Sequence, residues 1–329
     1  MIITQTPFRI SFFGGGTDYP VFYREHGGAV LAATIDKYSY ITCRYLPSFF
    51  EHNSRIVYSK TELVQTIDEI QHPSVRECLR FMNIEKGIEI HHDADLPARS
   101  GLGSSSSFTV GFLQALHALK GKMSTKKQLA LDAIHVEQNM IGESVGSQDQ
   151  CCAAFGGFNK IEFCADADIT VQPIILSKDK LTALEDRLIM VFTGLTRFAS
   201  QIAATQISET CNHIIELSQM RDMVDEGISI LTKPTACLDE FGRLLHSAWL
   251  LKRCLTTKIS NDGLDDMYEL GLKSGALGGK LLGAGGGGFF LFYVPPERRI
   301  AFLQAFQNAL IVPFHFEFGG SQILHYRPV

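Results

Sequence analysis

The strongest chemical signal in the chain is a run of small residues, LPARSGLGSSSS, at residues 96–107. Glycine tolerates the positive φ angles of a tight loop and lets the backbone approach a ligand. Apolar residues at helical spacing follow, so the loop ends where a helix begins. The N-terminus of a helix suits a phosphate, and serine hydroxyls could add donors and a magnesium ligand. The pattern predicts a phosphate-binding loop; an ordinary strand-to-helix turn with serine caps is the alternative.

Glu137 is the second candidate, because it interrupts an apolar stripe. On a helix predicted over residues 125–141 it shares one face with Ala133 and Ile134. A carboxylate in such a stripe is unfavourable unless it is paired or binds a metal. A serine-rich phosphate loop in the same part of the chain favours magnesium, which takes one or two carboxylates together with phosphate oxygens. A rim position, where the carboxylate reaches water, is the alternative.

Asp149 and Arg9 form a third candidate only when they are taken together. Asp149 lies in the short segment GSQDQ, where an aspartate alone is usually a turn former. Arg9 interrupts an apolar strand between Phe8 and Ile10 and needs a counter-charge. A buried pair of the two would keep the aspartate ionised, as a group that orients or deprotonates a hydroxyl must be.

Two further glycine-rich segments, at residues 14–18 and 283–288, differ in what they predict. Three glycines precede Thr17 and Asp18, which exceeds the need of a plain turn, and such a segment could satisfy several sugar hydroxyls. Residues 283–288 formally match the dinucleotide fingerprint GxGxxG, but an apolar strand follows where that motif requires a helix. A P-loop is also excluded, because Leu281 stands where Ser or Thr is required.

The predicted elements favour an α+β fold. Strands are predicted over residues 7–13, 87–92, 158–163 and 188–192, and hairpins over 29–46, turning near Asp36 and Lys37, and around Phe314 to Gly320. Helices are predicted over residues 125–141, opened by a capping-box pattern at Thr125, and over 199–223, 238–255, 264–272 and 297–310. Strands and helices come in runs without regular βαβ alternation, which disfavours a doubly wound sheet.

Length and composition set further bounds. The 329 residues are about two typical domains, and a charged, irregular stretch near residues 166–186 suggests domains at 1–168 and 169–329. A net charge of −5 disfavours a nucleic-acid partner, and no apolar run is long enough to span a membrane. The N-terminus lacks a signal-peptide pattern, and the eight cysteines are scattered without a CxxC, as expected for free thiols in the cytoplasm.

Taken together, three segments resemble the signatures of the GHMP kinase superfamily, in the expected order. They are residues 7–19 (PFRISFFGGGTDY), 96–107 and 280–288. The Gly-Gly-Gly-Thr-Asp form and the segment around Asp149 are most like the heptose 7-phosphate kinase branch, whose members phosphorylate the anomeric hydroxyl. The resemblance implies a ribosomal-S5-like N-terminal domain, a ferredoxin-like C-terminal domain and an active site in the cleft between them.

The same resemblance implies roles for individual residues. The ATP phosphates would be held by Gly101, Leu102, Gly103, Ser104, Ser105 and Ser106, and Mg²⁺ by Ser105 and Glu137. Asp149 matches the catalytic aspartate, with Arg9 beside it. Substrate would contact Gly16, Thr17, Asp18, Gly285 and Gly286. For the phosphate of the sugar we expect Arg197 first, with Arg44, Arg99, Lys233 and Lys252 as alternatives.

One departure from the superfamily bears on the substrate. Galactokinases carry Gly-Glu-His before Thr-Asp, whereas this chain has Gly14-Gly15-Gly16, which speaks against galactose. The expected partners are therefore ATP and a sugar phosphate, and a homodimer stays open. Another sugar-1-kinase, such as a fucose-type kinase, and a sugar- and ATP-binding sensor without turnover are the alternatives.

Overall fold

The computed structural model describes residues 1–98, 100–166, 168–195 and 199–328. The strands are β1 (Ile2–Phe13), β2 (Gly28–Tyr45), β3 (Ser54–Val57), β4 (Thr61–Val64), β5 (Ile88–Ala94), β6 (Phe158–Phe163), β7 (Ile169–Pro173), β8 (Leu188–Phe192), β9 (Gly278–Leu281), β10 (Phe289–Tyr293), β11 (Ile311–Val312), β12 (Phe316–Glu317) and β13 (Gln322–Tyr326). The helices are α1 (Pro20–His26), α2 (Pro73–Phe81), α3 (Ser104–Leu119), α4 (Lys126–His135), α5 (Gln148–Phe155), α6 (Lys178–Glu185), α7 (Ala199–Glu209), α8 (Ile214–Thr232), α9 (Asp239–Cys254), α10 (Asp262–Lys273) and α11 (Arg299–Ala305).

The strands form two sheets. The larger has the order β13-β1-β2-β5-β3-β4, with β6 and β12 also pairing with β2, and β7 with β6. The smaller has the order β11-β8-β10-β9. This arrangement confirms the α+β prediction. After the smaller sheet, the chain returns to the larger sheet through β12 and β13. The domain boundary at residue 168 stays a prediction.

Three hydrophobic clusters hold these layers together. One lies between the larger sheet and helices α2 to α5. A second combines apolar side chains of β1 and β2 with those of α9 and β10, so that Phe12, Phe241 and Leu291 share one core. A third packs the smaller sheet against α10 and α11. The second cluster matters for function, because it fixes the end of β1 next to the turn between β9 and β10.

The hairpin predicted over residues 29–46 is wrong, because β2 is one strand of 18 residues. Its pairing with β1 shifts between Pro7↔Tyr38 and Phe8↔Ile35, which leaves Asp36 and Lys37 in a bulge. A bulge accommodates polar residues as a turn does, and the unbroken partner strand β1 keeps the chain extended. The final hairpin is also wrong, because β12 pairs with β2 and β13 with β1.

Two predicted helices differ in extent from those observed. The helix predicted over 199–223 is divided into α7 and α8 by a 3₁₀ turn at Thr210–Asn212. Thr, Cys and Asn are weak helix formers, and the Thr210 hydroxyl bonds back to the carbonyl of Gln206 at 3.0 Å. In the helix predicted over 297–310, only α11 is α-helical, after a 3₁₀ turn at Pro296–Arg298.

The helix predicted over 125–141 forms and is capped at Thr125, whose hydroxyl accepts from the N–H of Gln128 at 3.1 Å. Its last part, Val136–Ile141, is π-helical. Within the described residues, no helix has the length and apolar character needed to cross a bilayer.

Candidate active site

Arg9 and Asp149 form a bidentate ion pair. Nε and Nη2 of Arg9 donate to Oδ1 and Oδ2 of Asp149 at 2.7 and 2.8 Å, and Nη1 donates to the carbonyl of Gly101 at 2.6 Å. The Arg9 side chain is 5% exposed and that of Asp149 25%, so the guanidinium is enclosed while the carboxylate reaches solvent. Burial alone would lower the pKa of Arg9, but the charge and hydrogen bonds of Asp149 raise it overall. Asp149 is therefore the counter-charge that the sequence predicted for Arg9.

The predicted phosphate loop lies directly beside this pair. Gly103 has a left-handed backbone, with φ of 76°, immediately before α3 begins at Ser104. The carbonyl of Leu102 accepts from the backbone N–H of Arg9 at 3.0 Å, which ties the loop to β1. A Cβ atom on Gly103 would lie 3.3 Å from Oδ2 of Asp149. The first N–H groups of a helix have no intrahelical partners, so α3 opens toward Asp149 with its anion-binding end.

Glu137 is fully buried in the π-helical turn. Its Oε2 accepts from the hydroxyl of Ser106 at 2.8 Å and from the amide of Gln150. Its Oε1 is buried and has no hydrogen-bond partner among the described residues. Burial raises the pKa of Glu137 to about 7, although the hydrogen bonds from Ser106 and Gln150 oppose the shift. An unpartnered carboxylate oxygen beside a hydroxyl offers the hard oxygen ligands that Mg²⁺ prefers, so these residues fit that ion.

The hydroxyl that donates to Glu137 belongs to Ser106. The family resemblance had instead assigned the magnesium role to Ser105. Ser105 is exposed in the first turn of α3. Gln150, the second donor to Glu137, was not predicted from the sequence. The signal for it was present, because Gln150 follows Asp149 directly and a buried carboxylate needs donors.

The glycine-rich turn between β9 and β10 packs onto the phosphate loop. A Cβ atom on Gly283 would lie 2.5 Å from Cα of Gly101, so the two backbones are in direct contact. Gly285 has φ of +124°, and the N–H of Gly286 donates to the carbonyl of Ile259 at 2.8 Å. The turn is thereby fixed at one edge of the site, next to the N-terminus of α3.

Two buried lysines lie beneath this turn. Lys252 donates to the carbonyl of Leu281 at 3.1 Å and to that of Gly283, and Lys280 donates to the carbonyl of Phe12 at 2.9 Å. Burial, and then the nearby positive charge of Arg9, lowers the pKa of Lys252 to about 7. The pKa of Lys280 is also lowered, by burial and then by Lys252 and Arg9. Lys252 was predicted from the sequence as a candidate cation, whereas Lys280 was not, because it lies between Gly279 and Leu281 in a glycine-rich segment.

The segment from Gly14 to Asp18 is a closed turn. Asp18 is 2% exposed; its Oδ1 accepts from the N–H of Gly16 at 2.9 Å and its Oδ2 from that of Gln148 at 3.3 Å. The Thr17 hydroxyl lies 2.8 and 2.9 Å from the carbonyl oxygens of Gly14 and Ala29, which share its one proton. Burial raises the pKa of Asp18, and the charge of Asp149 adds to the shift, against the two backbone donors. Asp18 thus joins this turn to the segment that carries Asp149.

The structure therefore brings together most of the predicted site. Arg9, Asp149, the phosphate loop, Gly16 to Asp18 and Gly285–Gly286 are linked by the contacts above, and Glu137 reaches the loop through Ser106. Arg197, the first candidate for a substrate phosphate, and Arg99 lie outside the described residues. Of the other candidates, Arg44 is paired with Glu89 on the β2–β5 side of the larger sheet.

Comparisons with known proteins agree with this geometry. Residues 65–157 match the family model of the GHMP kinases N terminal domain, and residues 234–311 match that of the GHMP kinases C terminal domain. A D-glycero-alpha-D-manno-heptose 7-phosphate kinase from Campylobacter jejuni is 30% identical, over 99% of both chains. A bifunctional fucokinase/GDP-fucose pyrophosphorylase from Arabidopsis thaliana is 26% identical over 87% of this chain and 29% of its own length.

Solved structures share the fold. A D-glycero-D-manno-heptose 1-phosphate kinase from Bacteroides thetaiotaomicron superposes with a TM-score of 0.80 at 24% identity, covering 99% of this chain and all of that one. A protein from Campylobacter jejuni gives a TM-score of 0.70 at 25% identity, covering 98% of this chain and 97% of that one. With both family models matched and a full-length relative at 30% identity, the chain belongs to the GHMP kinases and is an ATP-dependent phosphotransferase.

Proposed function

We propose that the protein transfers the terminal phosphoryl group of ATP to the anomeric hydroxyl of D-glycero-D-manno-heptose 7-phosphate. The observation that carries this proposal is the Arg9–Asp149 pair beside the N-terminus of α3, which unites a positioned carboxylate with an anion-binding end. The relative from Campylobacter jejuni supports the heptose phosphate as acceptor. Phosphoryl transfer depends mainly on positioning and on neutralising charge, and this site supplies both.

In this proposal Asp149 accepts a hydrogen bond from the attacking hydroxyl and takes its proton as the new O–P bond forms, while the bond from the γ-phosphorus to the bridging oxygen breaks and ADP leaves. Arg9 holds the carboxylate in place and fixes its orientation through its two N–H bonds. Residues 101–106 bind the ATP phosphates with backbone N–H groups and serine hydroxyls. The turn of Gly16, Thr17 and Asp18 lies on the sugar side of the site, where Asp18 holds the backbone of Gln148, and Gly285 and Gly286 lie over the reacting groups.

We further propose that Glu137 holds Mg²⁺, together with the Ser105 hydroxyl or the Ser106 hydroxyl that contacts Glu137 in this structure. The ion would neutralise charge on the phosphates when bound. The support is the unpartnered, buried Oε1 of Glu137 within the described residues. One protein carboxylate is enough, since phosphate oxygens and waters complete the coordination of Mg²⁺.

The phosphate of the sugar requires a cation, and we propose Arg197 from the sequence. Lys252 fits this role less well, because its ammonium group is buried and bonded to two carbonyls of the glycine-rich segment. An Arg197→Gln variant should raise KM for a phosphorylated sugar and leave KM for the same sugar without its phosphate unchanged. Equal changes in the two KM values would remove Arg197 from this role.

Phosphorus NMR tests the reaction itself. Purified protein is mixed with Mg-ATP and the heptose 7-phosphate, and in parallel with free heptose, heptose 1-phosphate, fucose and galactose. A new anomeric phosphate signal with the 7-phosphate alone supports the proposal. Turnover of fucose instead would establish the alternative, which the 26% identity to a fucokinase over 87% of this chain favours as the second candidate.

We also propose that the protein works in a reducing compartment, the cytoplasm, since all eight cysteines are free and four of them are buried. Its assembly as a homodimer is a proposal from the sequence, to be tested by light scattering on the purified protein.

A further inference from the structure

The hydroxyl of Ser11 is buried and has no hydrogen-bond partner among the described residues. Ser11 follows Arg9 by two positions on β1, so the two side chains lie on the same face of the strand. The residue is only 5% exposed. A buried polar group without a partner is unfavourable, and native proteins keep such groups where a ligand can satisfy them.

Gln148 shows the same feature from the opposite side. Its Oε1 is buried and unpartnered within the described part of the chain, whereas its backbone N–H donates to Asp18. Gln148 precedes Asp149 directly, at the start of α5. Two unpartnered polar side chains therefore flank the Arg9–Asp149 pair, one beside each member.

The two side chains meet at Gly15. A Cβ atom on Gly15 would lie 3.6 Å from Oγ of Ser11 and 3.7 Å from Nε2 of Gln148, both ordinary contact distances. Gly15 is absent from the glycines with positive φ, so its backbone does not require glycine. The absence of a side chain at this position leaves a recess with polar walls, and Gly15 and Gln148 are both partly exposed at its mouth.

We propose that Ser11 and Gln148, on either side of Gly15, recognise a second hydroxyl of the sugar acceptor, next to the one that Asp149 orients. This inference rests on the proposed function and adds the residues that select the sugar. The Ser11 hydroxyl can donate and accept, and the Gln148 amide offers both an acceptor and a donor, so together they match a sugar hydroxyl. Binding would satisfy both groups at once.

Asp18 has a different task in this arrangement. Both of its carboxylate oxygens are engaged by backbone N–H groups, and one of these belongs to Gln148. The backbone of Gly146 also lies against this carboxylate, because a Cβ atom there would overlap Oδ2 of Asp18. Asp18 is therefore a positioning residue that holds Gln148 in place, and the sugar contact falls to the Gln148 side chain.

The first test compares sugar binding with stability in Ser11→Ala. Removing an unpartnered buried hydroxyl should leave the melting temperature of the free protein unchanged or raise it. KM for the sugar should rise about three- to tenfold, the effect of one neutral hydrogen bond, with KM for ATP unchanged. Gln148→Leu should behave in the same way. Gly15→Ala, whose methyl group fits sterically but narrows the recess, should raise KM for the sugar as well.

Ser54→Ala is the matched control. Ser54 is a buried serine on β3, and its hydroxyl accepts from the N–H of Ile88 at 3.2 Å. Removing it should lower the melting temperature and leave both KM values unchanged, which is the opposite pattern to that of Ser11→Ala. Monodeoxy analogues of the accepted sugar then identify the hydroxyl: the wild type should discriminate against one analogue, and Ser11→Ala should lose that discrimination.

The outcomes separate this inference from the proposed function. If the wild type phosphorylates a sugar but all three variants keep its KM within twofold, the recess does not bind sugar and only this inference fails. Equal rises in KM for sugar and for ATP would also overturn it, because they indicate general distortion of the site. If the wild type phosphorylates no sugar, the proposed function fails and this inference fails with it.

Discussion

Arg9 and Asp149 are 140 residues apart in the chain, yet two parallel N–H···O bonds of 2.7 and 2.8 Å join them. The third contact of the same guanidinium is the carbonyl of Gly101 in the phosphate loop. One buried side chain of the first strand therefore sets the position of the carboxylate relative to the loop. A bidentate pair restricts orientation as well as distance, which phosphoryl transfer requires.

Asp149→Asn tests the carboxylate. The amide cannot take a proton and presents an NH₂ group to the guanidinium, so we expect kcat to fall by roughly 10²–10⁴ with KM for ATP nearly unchanged. The measurement is steady-state ADP release in the presence of the accepted sugar. Asp265→Asn is the control. Asp265 on α10 forms an ion pair with Arg253 on α9, with 2.6 Å between Oδ2 and Nη2, and this pair lies outside the proposed site. Near wild-type turnover by Asp149→Asn would exclude Asp149 from the chemical step.

Arg9→Lys tests the geometry of the pair at constant charge. A lysine is a point charge on a flexible stem and cannot form two parallel bonds to Asp149 together with the bond to Gly101. We expect kcat to fall about 10- to 100-fold, the effect of losing a charge-assisted hydrogen bond. KM for ATP should rise as well, because the phosphate loop loses the side-chain bond from Arg9 to the carbonyl of Gly101, which distinguishes this variant from Asp149→Asn. A lysine variant with wild-type constants would show that charge alone suffices.

Glu137→Gln should stabilise the metal-free protein, and more so at higher pH. The pKa of Glu137 is about 7 in the folded protein against 4.5 as its ordinary value, so the folded state holds a proton that the unfolded chain has released. Ionisation of Glu137 therefore lowers the free energy of unfolding. The loss grows as the pH rises from the ordinary pKa to the folded-state pKa, and above about pH 7 it approaches its full size of roughly 3 kcal/mol. The difference in melting temperature between variant and wild type should widen from about pH 5 to about pH 8.

Glu89→Gln is the matched control for this titration. Glu89 is also a buried glutamate, but hydrogen bonds from His91 and Arg44 lower its pKa in spite of burial. Its replacement should destabilise the protein at about pH 8, the opposite sign. Mg²⁺ should raise the melting temperature of the wild type increasingly above about pH 7 and have little effect on Glu137→Gln. A pH-independent gain in Glu137→Gln would contradict the shifted pKa.

The sequence predicted those parts of the site that follow from a local conflict. Arg9 among apolar neighbours, and Glu137 within an apolar stripe, each demand a partner, and the structure provides one for both. A glycine-rich segment before a helix likewise predicts an anion-binding end without knowledge of the fold. These signals depend on residue type and spacing alone.

Other features depend on contacts that the sequence does not encode locally. Asp36 and Lys37 suit a turn as well as a bulge, and only the unbroken pairing of β1 with β2 decides between them. The π-helical turn at Val136–Ile141, which contains Glu137, departs from the regular helix that the residue spacing predicts. The Ser11–Gln148 recess brings together two polar residues that appear ordinary in the sequence.

Gly101→Ala tests whether the phosphate loop and the glycine-rich turn act as one unit. Gly101 has φ of +79°, and a Cβ atom there would overlap the carbonyl oxygen of Leu282.

Gly142 is the matched control, because its φ is +76° and a Cβ atom there would meet nothing within 4 Å. Both alanine variants carry the strain of a left-handed backbone, about 1–2 kcal/mol, so their difference isolates the contact between the two loops. We expect Gly142→Ala to lower only the melting temperature, whereas Gly101→Ala should also raise KM for ATP about tenfold or more, because the loop must move away from Leu282 and the carbonyl of Gly101 that Arg9 binds is displaced. Equal behaviour of the two variants would mean that the loop binds ATP without support from the turn, and the chain of contacts from Asp149 through Arg9 and Gly101 would then end at the loop.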